Sequence, residues 1–164
     1  MRKNRWLVGP LVMFVLSGCA SQVEVIEQGD KNCGKRVLIA TQQSAFKDAA
    51  VAGIVGGLDK NSCYVKVVDL RKLADESVTY YDALVIVTAC KIGRLNRYAR
   101  KFFKHLSEKD EGKIILLTTI GQKYDSKMGQ VDAITSASEM EKAGAVAGAI
   151  VGKVRALLAR EIGV

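Results

Sequence analysis

The sequence has little of what several classes of functional site require. It contains one histidine, one tryptophan and one proline, and aromatic residues make up only 6% of it. The lone histidine, His105, cannot by itself supply a metal site or a Ser-His-Asp triad. No Cys-x-x-Cys pair occurs, which excludes a thioredoxin-like dithiol. No basic stretch is interleaved with aromatic residues, so nucleic acid is not an expected partner. The residues show no complete catalytic set and no metal-ligating cluster.

The N-terminal apolar run is too short to cross a membrane. Trp6 to Leu16 provides about a dozen apolar residues, whereas a bilayer core of about 30 Å needs about 20. Basic residues precede this run, and Leu16-Ser17-Gly18-Cys19 ends it. This order is typical of a signal segment, and the last four residues resemble the bacterial lipobox. From the residues alone, an ordinary signal peptide and a short buried helix are the alternatives.

The lipobox resemblance implies that residues 1–18 are a lipoprotein signal peptide and that Cys19 becomes the lipidated first residue. Several acyl chains, such as palmitate, would hold the protein firmly, whereas one chain anchors only marginally. Ala20 and Ser21 follow, with no Asp beside Cys19. By resemblance to the sorting pattern of enteric-type bacteria, this favours the outer membrane over the inner one. We therefore expect a lipid-anchored, periplasm-facing protein of the bacterial cell envelope.

Removal of residues 1–18 would leave 146 of the 164 residues, which is enough for one domain with a real core. That part keeps 22 basic and 17 acidic residues, a net charge of +5. A modest positive charge suits an anionic membrane surface or a small anionic ligand.

The chain from Lys35 onward alternates strand and helix patterns. We interpret residues 19–34 as the lipidated N-terminus and a tether, and 35–164 as one α/β domain. Strands are predicted at residues 36–41, 64–69, 82–88, 113–119 and 131–135. Helices are predicted at about 45–58, 71–76, 95–107 and 139–160. Such alternation indicates a parallel sheet between two helical layers, a three-layer sandwich.

Three segments carry a resemblance to the flavodoxin-like fold: Val37–Thr41, Val68-Asp69-Leu70 and Tyr81–Val87. The resemblance implies a five-stranded parallel sheet of order 2-1-3-4-5. In that order Cys33 and Cys63 would precede neighbouring strands about 4.8 Å apart, within the Cα separation of a disulfide. We therefore expect a Cys33–Cys63 disulfide, with two unpaired cysteines as the alternative.

Small residues recur along the first and last helices. The last helix carries Gly144, Gly148 and Gly152 four residues apart, and small residues at this spacing let helix backbones approach closely. In the flavodoxin-like order these two helices share one face of the sheet, so we expect them to pack together. A helix-mediated dimer is the alternative.

Hydroxyl-bearing residues follow the predicted strands, where open α/β sheets bind their ligands. A small anionic ligand could bind there, although Ser and Thr are also common caps and loop residues. The candidate residues are Thr41, Ser44, Lys47, Thr88, Cys90, Thr118, Thr119, Thr135 and Ser138.

Flavodoxins hold the FMN phosphate in a turn after the first strand that is rich in Thr, Ser and Gly. In this chain Thr41 and Ser44 keep hydroxyls and Lys47 could reach an anion, but no glycine allows close backbone approach. The segment Asp132 to Ser138 resembles the motif of covalent-FMN domains, which makes Ser138 a candidate acceptor. The alternative is a helix-capping box from Ser138 to Glu141.

Cys90 follows a buried strand and precedes Lys91, with Arg94 nearby. Cationic neighbours favour a reactive thiolate, and a plain buried thiol is the alternative. The leading functional hypothesis is a membrane-anchored envelope lipoprotein with a flavodoxin-like domain that is ligand-binding or non-enzymatic. The alternative hypothesis is an FMN-dependent periplasmic electron-transfer protein, with FMN as the candidate cofactor.

Overall fold

The structure is a computed structural model that describes residues 22–91, 94–119 and 131–160. It is an α/β sandwich with one mostly parallel sheet. The strands are β1 (Ile26–Gln28), β2 (Arg36–Thr41), β3 (Tyr64–Asp69), β4 (Ala83–Lys91), β5 (Arg94–Leu95), β6 (Ile114–Thr119) and β7 (Asp132–Ser136).

The helices are α1 (Ala45–Gly57), α2 (Arg97–Lys104), α3 (Glu108–Glu111) and α4 (Ala143–Leu158). Short 3₁₀ helices cover Leu70–Asp75, Val78–Tyr80 and Met140–Lys142. The helix predicted at 95–107 is shorter, because residues 94–95 pair with the end of β4 as β5. The last helix begins at Ala143 rather than Glu139. Within the described ranges, no helix is long and apolar enough to cross a bilayer.

The sheet order is β1-β3-β2-β4-β6-β7, with β5 paired to β4. The five parallel strands β3-β2-β4-β6-β7 have the predicted order. The sheet has seven strands rather than five, because β1 adds an antiparallel strand at one edge and β5 folds back on β4. The three-layer α/β class is confirmed, and the strand number is corrected.

Continuous apolar runs form the centre of the sheet because helices cover both of its faces. Val37 to Ala40 in β2, Ala83 to Val87 in β4 and Ile114 to Leu117 in β6 are all at most 1% exposed. Alternate residues of these strands point to opposite faces and enter two separate clusters. α1 and α4 cover one face. α2 and the 3₁₀ helix Leu70–Asp75 cover the other.

α1 and α4 pack against each other, as predicted, but not through the glycines of α4. A Cβ at Gly53 of α1 would lie 2.8 Å from Ala147 Cβ, and one at Gly57 would lie 2.8 Å from Val151 Cγ2. α4 contributes the buried residues Ala147, Ile150, Val151 and Val154 to this side of the core. At Gly144, Gly148 and Gly152, a Cβ would meet nothing within 4 Å. The glycine stripe of α4 therefore points away from α1, and the dimer stays a prediction.

β1 lies within the segment that the sequence assigned to the tether. Ile26, Glu27 and Gln28 pair with Val67, Lys66 and Val65 of the edge strand β3. Gln28 Nε2 also donates to the carbonyl of Val55 in α1 at 3.3 Å. The sheet therefore takes in residues before Lys35.

The predicted Cys33–Cys63 disulfide is not formed, and this prediction is corrected. Both residues are thiols. Cys33 Sγ donates to the carbonyl of Ser62 at 3.0 Å, and Cys63 Sγ donates to that of Asp59 at 3.5 Å. Burial raises the pKa of the Cys63 thiol, and the neighbouring Cys33 raises it further. Each sulfur is thus directed to a carbonyl of the turn after α1.

Candidate functional site at the carboxyl edge of the sheet

We define the carboxyl edge as the side of the sheet where the five parallel strands end. The strand registers place most of the candidate residues there, in two rows. Thr88, Thr118 and Thr135 are aligned on three neighbouring strands. The next residues along these strands are Ala89, Thr119 and Ser136, also in register. Thr41 ends β2 beside Asp69 of β3, and Ser44 begins α1. The site is therefore assembled from residues far apart in sequence.

Most threonines of this edge are buried and bonded to protein groups, whereas Thr135 is exposed. Thr118 Oγ1 lies 3.1 Å from Thr135 Oγ1, and Thr41 Oγ1 donates to the carbonyl of Gln42 at 3.3 Å. Thr41, Thr88, Thr118 and Thr119 are each at most 4% exposed. Most hydroxyls of these buried threonines form hydrogen bonds with protein groups at the strand ends. They therefore contribute more to the local structure than to an open binding surface.

Gln42 joins the ends of two strands, a role that sequence reasoning missed. Its Oε1 accepts hydrogen bonds from Thr88 Oγ1 at 3.1 Å and from the N–H of Ala89 at 3.2 Å. The turn after β2 is therefore tied to the end of β4 through a protein side chain. A glutamine in a turn carries no pattern that predicts such a bond.

Ser44 caps α1 as predicted. Its Oγ accepts from the N–H of Lys47 at 3.3 Å, and its carbonyl accepts from the N–H of Asp48 at 2.8 Å. The first N–H groups of a helix have no partner within the helix. The start of α1 at Ala45 and Phe46 therefore presents donors beside the turn.

Lys47 is the most unusual charged residue at this edge. Its side chain belongs to the first turn of α1 and is only 7% exposed. Burial lowers its pKa, Asp48 partly offsets this, and the positive charge of Lys91 at the end of β4 lowers it further. Within the described residues, no salt bridge is formed by Lys47. Two ammonium groups thus approach the carboxyl edge from α1 and β4.

The structure supports the candidate roles of Cys90 and Ser138 less well. Cys90 is fully buried against Leu95 and Phe102, which fits a core thiol. Ser138 is exposed and does not begin a capping box: Glu139 precedes the 3₁₀ helix, and Lys142 precedes α4, both without a side-chain cap. Residues 92–93 and 120–130, which include Tyr124, lie outside the described residues. Within the described ranges, no group of three His, Cys, Asp or Glu residues could hold a metal ion.

Asp69 fixes the N-terminal segment to this edge. It ends β3, and both carboxylate oxygens accept from the guanidinium of Arg71 at 2.8 Å. It also accepts from the N–H of Arg71 at 2.9 Å and from the N–H of Val23 at 3.1 Å. The Arg71 hydrogen bonds are the main reason that the pKa of Asp69 is lowered to about 2.

A groove between β1 and α1, which we call the β1–α1 groove, opens beside this site. It has a volume of about 640 Å³. Its floor is largely apolar, with Val51, Val55 and Val67, and its rim includes Gln22, Gln43 and Asp48. The first described residue and the turn after β2 therefore line the same groove.

No family model and no curated protein matches this sequence. Solved structures do match its fold. An NADH:FMN oxidoreductase in its apo form is 12% identical, covers 78% of this chain and 91% of its own, and gives a TM-score of 0.52. A flavodoxin from the domain Archaea is 14% identical, covers 74% of this chain and 99% of its own, and gives a TM-score of 0.50.

The fold is flavodoxin-like. At this identity the likeness concerns architecture alone, since one fold carries many unrelated functions. In this fold class the carboxyl edge is the side on which ligands bind, so the candidate residues lie on the side that the architecture favours.

Proposed function

We propose that this protein is a lipid-anchored lipoprotein of the bacterial envelope whose flavodoxin-like domain binds a small anionic ligand. Binding would take place at the carboxyl edge, with no catalysis by the domain itself. The observation that carries this proposal is Lys47, a nearly buried lysine beside Lys91 with no salt bridge to a described carboxylate.

A buried charge is costly unless an opposite charge or hydrogen bonds compensate it. A bound anion would supply that compensation to Lys47, and the exposed Lys91 would add a second positive charge near it. The start of α1 adds backbone donors, and a helix N-terminus favours negative charge. Ser44 accepts from Lys47 N–H, so the donors left to an anion are those of Ala45 and Phe46. This set suits a compact anion such as a phosphate group.

The experiment is a thermal unfolding series on the mature protein with inorganic phosphate, FMN and riboflavin. We expect the phosphate-bearing compounds to raise the Tm of the native protein, because a ligand that binds only the folded state stabilises it by mass action. The Lys47→Met variant should lose this response. Lys104→Met, at an exposed position of α2, is the matched control and should keep it. A native Tm unchanged by phosphate compounds would refute the proposal.

An FMN-dependent periplasmic electron-transfer protein is the second candidate. It is favoured by the flavodoxin-like fold together with a lysine at the start of α1, where a cofactor phosphate would be held. The described residues fit the phosphate better than the flavin ring. Among the described aromatic residues near this edge, Phe46 is buried with Ala50 and Ala143, and Arg97 already covers the ring of Tyr98 at 4.7 Å. Gln42 also spans the turn and the end of β4.

Protein purified from its own host separates the two candidates. Under the first proposal the mature protein is colourless, and its native mass is that of the chain from Cys19 plus lipid. A yellow protein with flavin absorbance would favour the second. The same mass spectrum tests the anchor, because a chain that still contains residues 1–18 or lacks acyl groups at Cys19 would contradict it.

A further inference from the structure

The N-terminal segment enters the fold at the carboxyl edge. β1 is antiparallel to β3, with Ile26 opposite Val67, so residues before Ile26 run toward the end of β3. There the N–H of Val23 donates to the carboxylate of Asp69, the last residue of β3. Gln22 lines the β1–α1 groove together with Gln43 of the turn after β2. The chain that leads back to Cys19 thus starts from the same edge as the candidate anion site.

The length of that connection limits how the domain can sit on a membrane. Cys19 precedes Val23 by four residues, which span at most about 14 Å even when fully extended. β2 and β6 have six residues each, and strands of that length extend about 20 Å. An anchor at Cys19 therefore cannot let the opposite edge, where the strands begin, turn toward the lipid. Only the carboxyl edge or a side of the domain can face it.

Charge distinguishes between those remaining orientations. Four exposed basic residues, which we call the basic edge, lie at the carboxyl edge on the α2 side: Lys72, Lys91, Arg94 and Arg97. Lys91 is paired in register with Arg94. Arg97 stacks on Tyr98, and the 3₁₀ helix that contains Lys72 packs against α2. The four residues thus lie on neighbouring elements at this edge.

Asp69, the acidic residue that ends β3 beside the basic edge, is buried and already paired with Arg71. The exposed acids Glu24 and Asp48 line the β1–α1 groove, on the β1–α1 side of the domain rather than on its α2 side. An orientation in which the domain lies on its β1–α1 side would bring these acids to an anionic surface, whereas the α2 side of the carboxyl edge presents cations to it. Basic residues next to an anionic membrane are attracted to its surface.

We propose that the anchored protein stands with its carboxyl edge toward the membrane and its basic edge against anionic phospholipid headgroups. The proposal rests on the lipid anchor at Cys19 that forms part of the proposed function. It adds that the candidate anion site faces the headgroup layer, while the opposite edge of the sheet faces the periplasm.

The test uses the absence of tryptophan after position 6. Trp6 is the only tryptophan, so the mature protein contains none and a single introduced tryptophan reports its own surroundings. Lipidated mature protein is reconstituted into vesicles that contain anionic phospholipid and lipids brominated close to the headgroup. Three variants are compared: Gln43→Trp at the carboxyl edge, Ile26→Trp at the β1 side and Lys60→Trp at the opposite edge.

We expect the brominated lipids to remove most of the emission of Gln43→Trp and to leave that of Lys60→Trp almost unchanged. The emission of Ile26→Trp should fall by an intermediate amount. Stronger quenching of Ile26→Trp than of Gln43→Trp would show a side-lying domain and overturn the proposal. Equal quenching at all three positions would also overturn it, because it would mean that no orientation is preferred.

The basic edge is tested in the Gln43→Trp background by changing its four residues to Gln. The matched control changes Lys60, Lys104, Lys109 and Arg160, four exposed residues toward the opposite edge. Quenching should fall in the basic-edge variant and persist in the control. Quenching that survives loss of the basic edge would overturn its assigned contact with the headgroups.

The mass of each preparation keeps the two proposals apart. Failure of the anchor shows as a protein without acyl groups at Cys19, and the orientation proposal then falls with it. Acylated protein that enters vesicles without the expected difference between Gln43→Trp and Lys60→Trp refutes the orientation alone.

Discussion

Among single residues, Lys47 combines a cost to stability with a role in binding. Because burial lowers its pKa, the unfolded chain takes up this proton more readily than the folded one. Folding stability should therefore rise with pH as the pKa of an ordinary lysine, about 10.4, is approached. Lys47→Met should stabilise the ligand-free protein at pH 7 by an amount on the order of 1 kcal/mol and remove that rise.

Denaturant unfolding from pH 7 to pH 10 measures both effects. The matched control, Lys104→Met, replaces a lysine that is exposed, so its stability and pH dependence should stay close to those of the native protein. A native-like slope with pH in Lys47→Met would show that this ammonium is not the buried charge described here.

Asp69 should control stability in acid. Its folded pKa of about 2 lies below the value of about 3.9 for an unfolded aspartate. Its contribution is therefore present above about pH 4 and lost as the pH falls toward 2, a loss of about 2 kcal/mol. Asp69→Asn should remove this loss, lower stability at pH 7, and accelerate hydrogen exchange at the N–H of Val23. Unfolding curves from pH 6 to 2 provide the measurement.

Asp132→Asn is the control for that experiment. Asp132 pairs with Lys153 on the surface, where both side chains are more than a third exposed, and such pairs contribute little. The two substitutions remove the same charge, so equal effects would mean that the contacts of Asp69 with Arg71 and Val23 do not set its pKa.

Between the helices, the contact of α1 with α4 makes opposite predictions for two glycines. Gly53→Ala would place a Cβ 2.8 Å from Ala147, and overpacking of this kind typically costs 1–3 kcal/mol. Gly148→Ala meets nothing within 4 Å and should stabilise α4 by roughly 0.5–1 kcal/mol, because alanine favours a helix interior. Urea unfolding of both variants measures the difference. A gain in both would mean that the helices are not in contact at Gly53.

The sheet and the same helices show which features the sequence patterns could predict and which they could not. Continuous apolar runs such as Ala83 to Val87 predicted the central strands, because only buried strands are apolar on both faces. The order of those strands was implied by the flavodoxin-like resemblance. The prediction of which side of α4 faces α1 was wrong. Gly and Ala are both small, so either set of residues could have faced α1. Ile150, Val151 and Val154 lie on the buried side of α4. Their spacing was the signal that could have predicted which side of the helix is buried.

β1 and Gln42 were missed for different reasons. β1 has only three residues, in a polar segment, and it is stable because β3 offers an unpaired edge. Val23 and Val25 alternate with polar residues, which was its weak strand signal. Gln42 binds groups 46 and 47 residues away, and no local pattern encodes a partner at that distance. The site could thus be located from strand ends, while its internal bonds required the structure.

For the anchored protein as a whole, the short connection to Cys19 is what restricts orientation. A flexible Gly/Ser insertion of roughly 20 residues between Ser21 and Gln22 would give a root-mean-square reach of about 27 Å, which exceeds the length of the strands. If connection length alone orients the domain, lipid quenching of Gln43→Trp should fall to the level of Lys60→Trp. If the basic edge contributes as proposed, part of the difference should remain in vesicles with anionic lipid and disappear at high salt, because salt screens exposed charges. An equally long insertion in the exposed turn at residues 59–62 leaves the anchor connection unchanged and should preserve the quenching pattern.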